Sequence, residues 1–565
     1  EFGGPPTRDF ITDQHALGEY RLKRVDAFFK IGILHRGKTL HVWQSKFEGD
    51  RIYSFSLLSG DRAVMGGSFG LYLVDLKTGR TVREFIGHAG MVWSVSPAPN
   101  GRYFMTGCTD QVLSIWHPER TEPILSFFFA GRDWIAWTPE GYYAASANGE
   151  RLMGWLIVNG PEKLATFHPA AQFRASLYNP AALKLLLRQA GGHIDRALAL
   201  AGKPDKPVLA LNVGQVLPPE VVIKSPGPDT QAEGKVEVKA TATSKGDNPV
   251  TSMRLLVDGR PYRGSKGVVR FPAPKVGTVE ASWPAVELPP GKHIFAVQAE
   301  SKVSKGLSRP VEVLRAATGE QELPNLYILA CGVSEYPGPN RLRYAASDAK
   351  LITNKFKEKA AGVFGKVEVS LNLDGQGTKK NIEDGLVWLE GKMTPKDVGI
   401  FFFSGHGGKD EKGNFYLITV DVTPDLERTC VSGEYVKEKL ANMSGRMVCM
   451  LDCCHSGAVA SEGRRPGQAD DLVRDLVTDD YGIVCMCSSL GSEYSLESPE
   501  TEAGFFTKSV VEGMDGAADI DHDRIIYIHE LDYYSTWRVR ELSSGQQNPV
   551  TGRPAGVHSF PLGRP

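Results

Sequence analysis

The spacing of apolar positions changes character three times along the chain. In residues 1–160, short apolar runs recur and close at Trp43-Gln44, Val74-Asp75, Trp116-His117 and Trp155-Leu156. The last two steps are about 40 residues each, the period of a four-stranded propeller blade. Residues 161–218 turn helical, with apolar residues at helical spacing over 180–187 and 194–201. They predict a connector packed on the propeller. From 219 to 316 the period falls to two, in runs at 221–223, 236–242, 252–257, 268–271, 281–288, 293–298 and 311–314, with Asp258-Gly259 and Pro290-Gly291 as turns. From Leu323 continuous apolar runs alternate with helical ones. Strands are expected at 325–333, 367–373, 398–403, 446–454 and 483–488, and helices at 345–359, 379–393 and 432–443.

These patterns predict a multidomain chain. Residues 1–160 read as a partial all-β propeller of about four blades, against the four to eight that close a ring. Gly87-His88 stands before Trp116 at a spacing that resembles the WD-repeat family, although only Val74-Asp75 keeps the Asp of that family's dipeptide. Residues 219–316 read as an immunoglobulin-like β-sandwich carrying no evident chemistry. Residues 323–565 read as an α/β domain with a mostly parallel sheet covered on both faces, whose site should lie beyond the carboxyl ends of the strands.

Composition narrows the function. The chain has 565 residues, 41% hydrophobic and 23% charged, which suits three or four folded domains. Lys and Arg number 65 against 66 Asp and Glu, so the net charge of -1 gives no electrostatic case for nucleic acid or an anionic membrane. No apolar run approaches the ~20 residues that cross a bilayer, and the start carries no export signal, so a cytoplasmic protein is expected. The first residues, Glu1 and Phe2, with no Met, suggest that the natural start is missing or was replaced by a cloning junction. Seven of the eight Cys fall in the last 240 residues, mostly in apolar runs, as free thiols of a reducing compartment would.

Two strand ends carry candidate chemistry: Ser404-Gly405-His406-Gly407-Gly408 and Asp452-Cys453-Cys454-His455-Ser456-Gly457. Adjacent strands would bring a thiol and an imidazole together. A free thiol is only a few per cent ionised at neutral pH, and a neighbouring imidazole activates it and later protonates the leaving amine. Residues i and i+2 of a strand share a face, so Asp452 goes with Cys454 while Cys453 faces the covering helices. That favours Cys454 over Cys453 as nucleophile, and His406 over His455 as base. The flanking glycines are expected to let a substrate backbone approach. The bland alternatives are a capping His and buried structural thiols. A metal site built from Cys453, Cys454, His455 and His406 lacks zinc-like spacing.

These residues resemble the caspase-like cysteine peptidases, in the metacaspase and bacterial caspase-like branch. The matching pieces are SGHGG at 404–408, DCCHSG at 452–457 where that branch has DSCHSG, Ala346-Ser347-Asp348-Ala349, and Gly504-Phe505-Phe506-Thr507 before a helix. The resemblance covers about 323–565 and implies a cysteine endopeptidase in which Cys454 attacks, His406 is acid and base, and the amides of Gly407 and Cys454 bind the oxyanion. It also puts Asp348 in the recess of Asp452, where two carboxylates would select Arg or Lys before the scissile bond. An ion pair near 4 Å at an effective dielectric of 20 is worth about 4 kcal/mol before desolvation. The alternative for Asp348 is an ordinary helix N-terminal carboxylate.

The polar stretch 461–480 contains Arg464-Arg465-Pro466, and the resemblance makes Arg464 a self-cleavage point; a loop that is never cut is the alternative. No cofactor is needed for the chemistry. Asp519, Asp521, Asp523 and Glu530 fall at positions 1, 3, 5 and 12 of an EF-hand loop, but position 6 is Arg524 rather than Gly, so an Asp-rich turn capping a helix competes with a calcium site. A second acidic set, Asp421, Asp425 and Glu427, is looser. The expected partners are protein substrates and a protein bound on the propeller, with no nucleic acid and no membrane. The rival from another class is an inert caspase-like scaffold that binds proteins through the propeller.

Overall fold

A computed structural model describes residues 14–99, 101–131, 133–146, 148–202, 213–316, 323–410, 414–455, 482–489, 495–498, 502–554 and 556–565. The chain divides into two compact units, residues 1–216 and 217–565.

In the first unit, antiparallel four-stranded sheets span residues 16–44 and 52–85. The blades expected next are not separate. Six strands between Val92 and Ala145 form one sheet, because Leu125–Ala130 pairs with both Val112–Trp116 and Asp133–Trp137. The link from Ala130 to Asp133 is too short to start a new blade, so the chain folds back as a hairpin. Trp155 lies in a two-stranded sheet, Gly154–Ile157 with Thr166–Pro169. Among the described residues no sheet closes into a barrel.

A polar relay fixes the six-stranded sheet. The Trp116 indole donates to Thr106 Oγ1 (2.7 Å), which lies 2.6 Å from His88 Nε2, while His88 Nδ1 is 3.0 Å from Asp110. Both ring nitrogens are thereby used, so the nearby His88, Cys108 and Asp110 offer a metal little. Helices Pro180–Arg188 and Ile194–Leu200 bury Leu183, Leu186, Ala197 and Leu198 against Ile124, Phe127 and Ala144 of that sheet. Asn179 caps the first of them, accepting from Ala182 N, with Pro180 at its first position.

In the second unit, residues 217–316 form two sheets around one apolar core. One sheet contains Glu220–Ser225, Val236–Thr243 and Thr278–Val286, and the other is built on Ser252–Val257, Gly291–Glu300 and Val311–Arg315. Val236, Val238, Ala240 and Ala242 point inward while Glu237 and Lys239 face solvent, the alternation of a half-buried strand.

The remainder is α/β. Its elements are β1 (Leu326–Gly332), α1 (Ala345–Lys359), β2 (Val367–Leu373), α2 (Lys379–Lys392), β3 (Val398–Lys409), α3 (Gly433–Asn442), β4 (Arg446–His455), β5 (Ile483–Cys487), α4 (Phe505–Glu512), α5 (Ile528–Leu542) and β6 (Val550–Gly552). The sheet order is β2-β1-β3-β4-β5-β6, parallel except for β6. Every residue of β1 and β5 is buried, as continuous apolar strands between two helical layers must be. Thr378 and Ser432 cap α2 and α3 by accepting from Asn381 N and Tyr435 N. No described helix is long and apolar enough to cross a membrane.

Candidate active site

β3 does not stop at Phe403, where the apolar run ends. It continues to Lys409, and its ladder with β4 pairs Ser404 with Asp452, Gly405 with Cys453, His406 with Cys454 and Gly407 with His455. Residues 404–407 and 452–455 therefore lie within paired strands, not in loops beyond them, because the polar residues keep the parallel hydrogen-bond pattern after the apolar ones end. Adjacent strands run about 4.8 Å apart, so positions 406 and 454 are immediate neighbours. The side chains of Cys454 and His455 lie outside the described residues, as does Arg464.

His406 is 3% exposed. Its Nε2 is 2.7 Å from the carbonyl oxygen of Asn340, which can only accept, so Nε2 carries the proton. Nδ1 is buried and has no hydrogen-bond partner among the described residues, leaving a lone pair available. Burial holds the imidazole below its usual pKa, and the Asn340 carbonyl only partly offsets this, so the ring is neutral at pH 7. Tyr336 fixes the segment: its hydroxyl accepts from His406 N–H and donates to Ile418 O, both at 2.9 Å, and its ring lies 4.4 Å from the imidazole.

The glycines beside His406 also make room for the protein's own rings. A Cβ on Gly405 would lie 2.5 Å from the Tyr336 hydroxyl, and one on Gly407 would lie 2.9 Å from the Phe415 ring. These close approaches come from the protein's own rings.

Asp348 and Asp452 do come together. The Asp348 carboxylate accepts from Gly504 N (3.0 Å) and Ser404 Oγ (3.2 Å), and Asp452 accepts from Ser495 Oγ (2.8 Å). Both acids border the same point, since a Cβ on Gly504 would meet Asp452 Oδ2 at 2.9 Å and Asp348 Oδ2 at 3.4 Å. Burial raises the pKa of Asp348 well above the carboxylate range, and the charge of Asp452 raises it further. Burial likewise raises Asp452, where the added charge nearby is Glu497. Glu497 is half-buried and raised by burial, a third acid of this recess that the sequence did not reveal. Gln547 steadies the segment, accepting from Leu496 N (2.7 Å) and donating to Ser488 O (2.8 Å). The roles of Asn340 and Ile418 are backbone contacts, for which a sequence has no residue signal.

Cys453 is buried, and Cys108, Cys331, Cys430, Cys449, Cys485 and Cys487 are, like it, free thiols. The ligand atoms of Asp519, Asp521 and Asp523 lie within 4.8 Å of one another, whereas Glu530 does not join them. Its two oxygens accept from Ile520 N (3.1 Å) and Tyr527 N (2.9 Å), capping α5. Arg524 adopts a left-handed φ of 65°, the conformation for which the loop pattern wants Gly. The residues therefore do not fit an EF-hand loop, whose twelfth position supplies a bidentate carboxylate. Asp421 accepts from Lys379 N and Asp425 caps residues 426–429, so these acids serve the backbone.

Comparison with known proteins finds a match to the caspase domain over residues 327–531 and to the WD domain, G-beta repeat, over residues 79–117. No curated protein matches the chain. Solved structures similar to it include the crystal structure of a Geobacter sulfurreducens protein, 14% identical, covering 43% of this chain and 95% of that one, with a TM-score of 0.30.

Proposed function

From the premise of a caspase domain over residues 327–531, we propose that the chain is a cysteine endopeptidase cleaving after Arg or Lys. The observation that carries this reading is the pairing of position 454 with a buried, neutral His406 whose Nδ1 has no hydrogen-bond partner among the described residues. Nδ1 takes the Cys454 thiol proton, and the thiolate attacks the scissile carbonyl. The amides of Gly407 and Cys454 receive the oxyanion. Collapse of the tetrahedral intermediate expels the amine, protonated by His406, and leaves a thioester that water hydrolyses with His406 as base. No cofactor takes part. Calcium at the acidic turn would meet the Asp519, Asp521 and Asp523 carboxylates.

The Asp348 and Asp452 recess supports the preference for a cation. Two buried acids with raised pKa values favour a positive partner, because a guanidinium between them relieves their mutual repulsion. Arg464 is the proposed self-cleavage point. The WD-repeat segment and the immunoglobulin-like sandwich recruit or restrain, in a cytoplasmic protein of the metacaspase-like branch.

The test uses a fluorogenic peptide with Arg before the reporter, under reducing conditions, with wild type, Cys454→Ala and His406→Ala. Turnover is expected in wild type alone. Equal, negligible turnover in all three supports the inert scaffold instead, and faster release from an Asp peptide than from the Arg peptide removes the specificity.

A further inference from the structure

At the end of the sheet opposite Cys454, the turn at residues 258–260 is one of the contacts that join the β-sandwich to the α/β part. Arg260 is buried and donates to Gly445 O (2.9 Å), Leu440 O (3.1 Å) and Met443 O (2.7 Å), the carbonyls at and beyond the end of α3. Gly259 approaches so closely that a Cβ there would lie 2.5 Å from the Gly556 backbone. Beside this contact a cavity of about 330 Å³ remains between the two parts, lined by Asp258, Arg260, Lys292, Glu312, Arg446 and His558 among others.

The charges around this cavity do not cancel. Glu312 is spent on Lys292 at 2.7 Å. Asp258 accepts from Ile294 N (2.9 Å) and lies 2.7 Å from His293 Nδ1. Burial opposes a charge on His293, yet Asp258 more than offsets it and holds the ring above its usual pKa. Arg446 is different. Its guanidinium lies over the Phe560 ring at 5.6 Å, and among the described residues it has no hydrogen bond and no ion pair. Burial pulls its pKa down, and Asp258, beyond contact distance, only tempers that effect. A largely buried guanidinium facing an open cavity is a costly arrangement unless an anion completes it. A guanidinium fork binds carboxylate and phosphate oxygens in pairs, with the Phe560 ring holding its plane.

We propose that this cavity is a binding site for a small organic anion, presenting carboxylate or phosphate oxygens to Arg446, which bridges the sandwich and the catalytic sheet. The site is remote from Cys454 and does not rest on the peptidase reading.

The full chain is titrated calorimetrically and by thermal melting with citrate, inorganic phosphate and adenosine monophosphate, at ionic strength matched with sodium chloride. The three probes separate carboxylate, bare phosphate and organic phosphate as the preferred chemistry. At least one is expected to bind and raise the melting temperature by several degrees at saturating concentration, since a ligand of the folded state alone stabilises it. Arg446→Gln is expected to weaken that binding at least tenfold. Should Arg446→Gln fail to fold, Lys292→Glu, on the exposed rim, is expected to weaken binding at least threefold by adding negative charge. Binding by none of the probes, or affinity unchanged in a folded variant, overturns the proposal.

Discussion

At the scale of single residues, His406 and the carboxylates of the recess set pH requirements of the same sign. The His406 pKa is depressed by burial, so the neutral base persists to lower pH than for a free imidazole, and kcat is expected to fall only on acidification below the usual imidazole range. Asp348 and Asp452 are raised, so the ionised pair that attracts Arg is favoured as pH increases, and KM for an Arg peptide is expected to fall with rising pH. Stability runs the other way. Raised acid pKa values support the folded state at low pH, and that contribution is lost as pH rises through the folded-state values. Kinetics and melting curves across pH, compared with Asp348→Asn, read both trends, and that variant is expected to lose about 10- to 100-fold in kcat/KM for Arg while largely losing the dependence of KM on pH. Tyr336→Phe removes the acceptor of a buried N–H, which costs about 1–3 kcal/mol in chemical denaturation. The sequence pointed to His406, Cys454 and Asp452 by residue type and spacing, and to Asp348 through the family resemblance. It was silent on Asn340, whose backbone carbonyl fixes the His406 tautomer, and on Glu497, an acid in a polar stretch like many others.

At the scale of elements, the extension of β3 and β4 past their apolar runs places the site in the ladder itself. Packing beneath it tolerates no side chain at Gly405: Gly405→Ala is expected to cost about 1–3 kcal/mol and to lower kcat, because Tyr336 must shift and carries His406 with it. Thr378→Ala, at the N-cap of α2, should cost about 1 kcal/mol while leaving kcat unchanged, which separates stability from site geometry. The acidic turn before α5 makes a third case. With Glu530 committed to the helix cap, chelator is expected to leave peptide turnover unchanged within twofold, and a calcium-dependent rate would contradict the reading of this turn. Strand positions in residues 217–316 and most of the α/β elements were legible, because period-two alternation and continuous apolar runs are local signals. The merger of the last expected blades into a six-stranded sheet was not, since hydrogen-bond partnership across a short turn leaves hydrophobicity unchanged.

At the scale of the whole molecule, the boundary between residues 216 and 217 and the Arg260 contact predict different consequences of truncation. A fragment beginning at Leu217 keeps every carbonyl contact of Arg260 named above and is expected to fold by itself. A fragment beginning at Leu323 removes Arg260 and uncovers the Gly482 and Gly556 backbone, and should melt several degrees lower. Equal melting of the two in differential scanning calorimetry would show that the sandwich contributes nothing to the stability of the α/β sheet. The sequence determined which segments are strands and helices, and which residue types carry chemistry, because both follow from side-chain identity and its period. Tertiary structure alone decided the ladder register that sets position 454 beside His406, the carbonyl that leaves Nδ1 unprotonated, and the cavity around Arg446. Those depend on backbone groups and on distances between residues far apart in the chain, neither of which has a letter in the sequence.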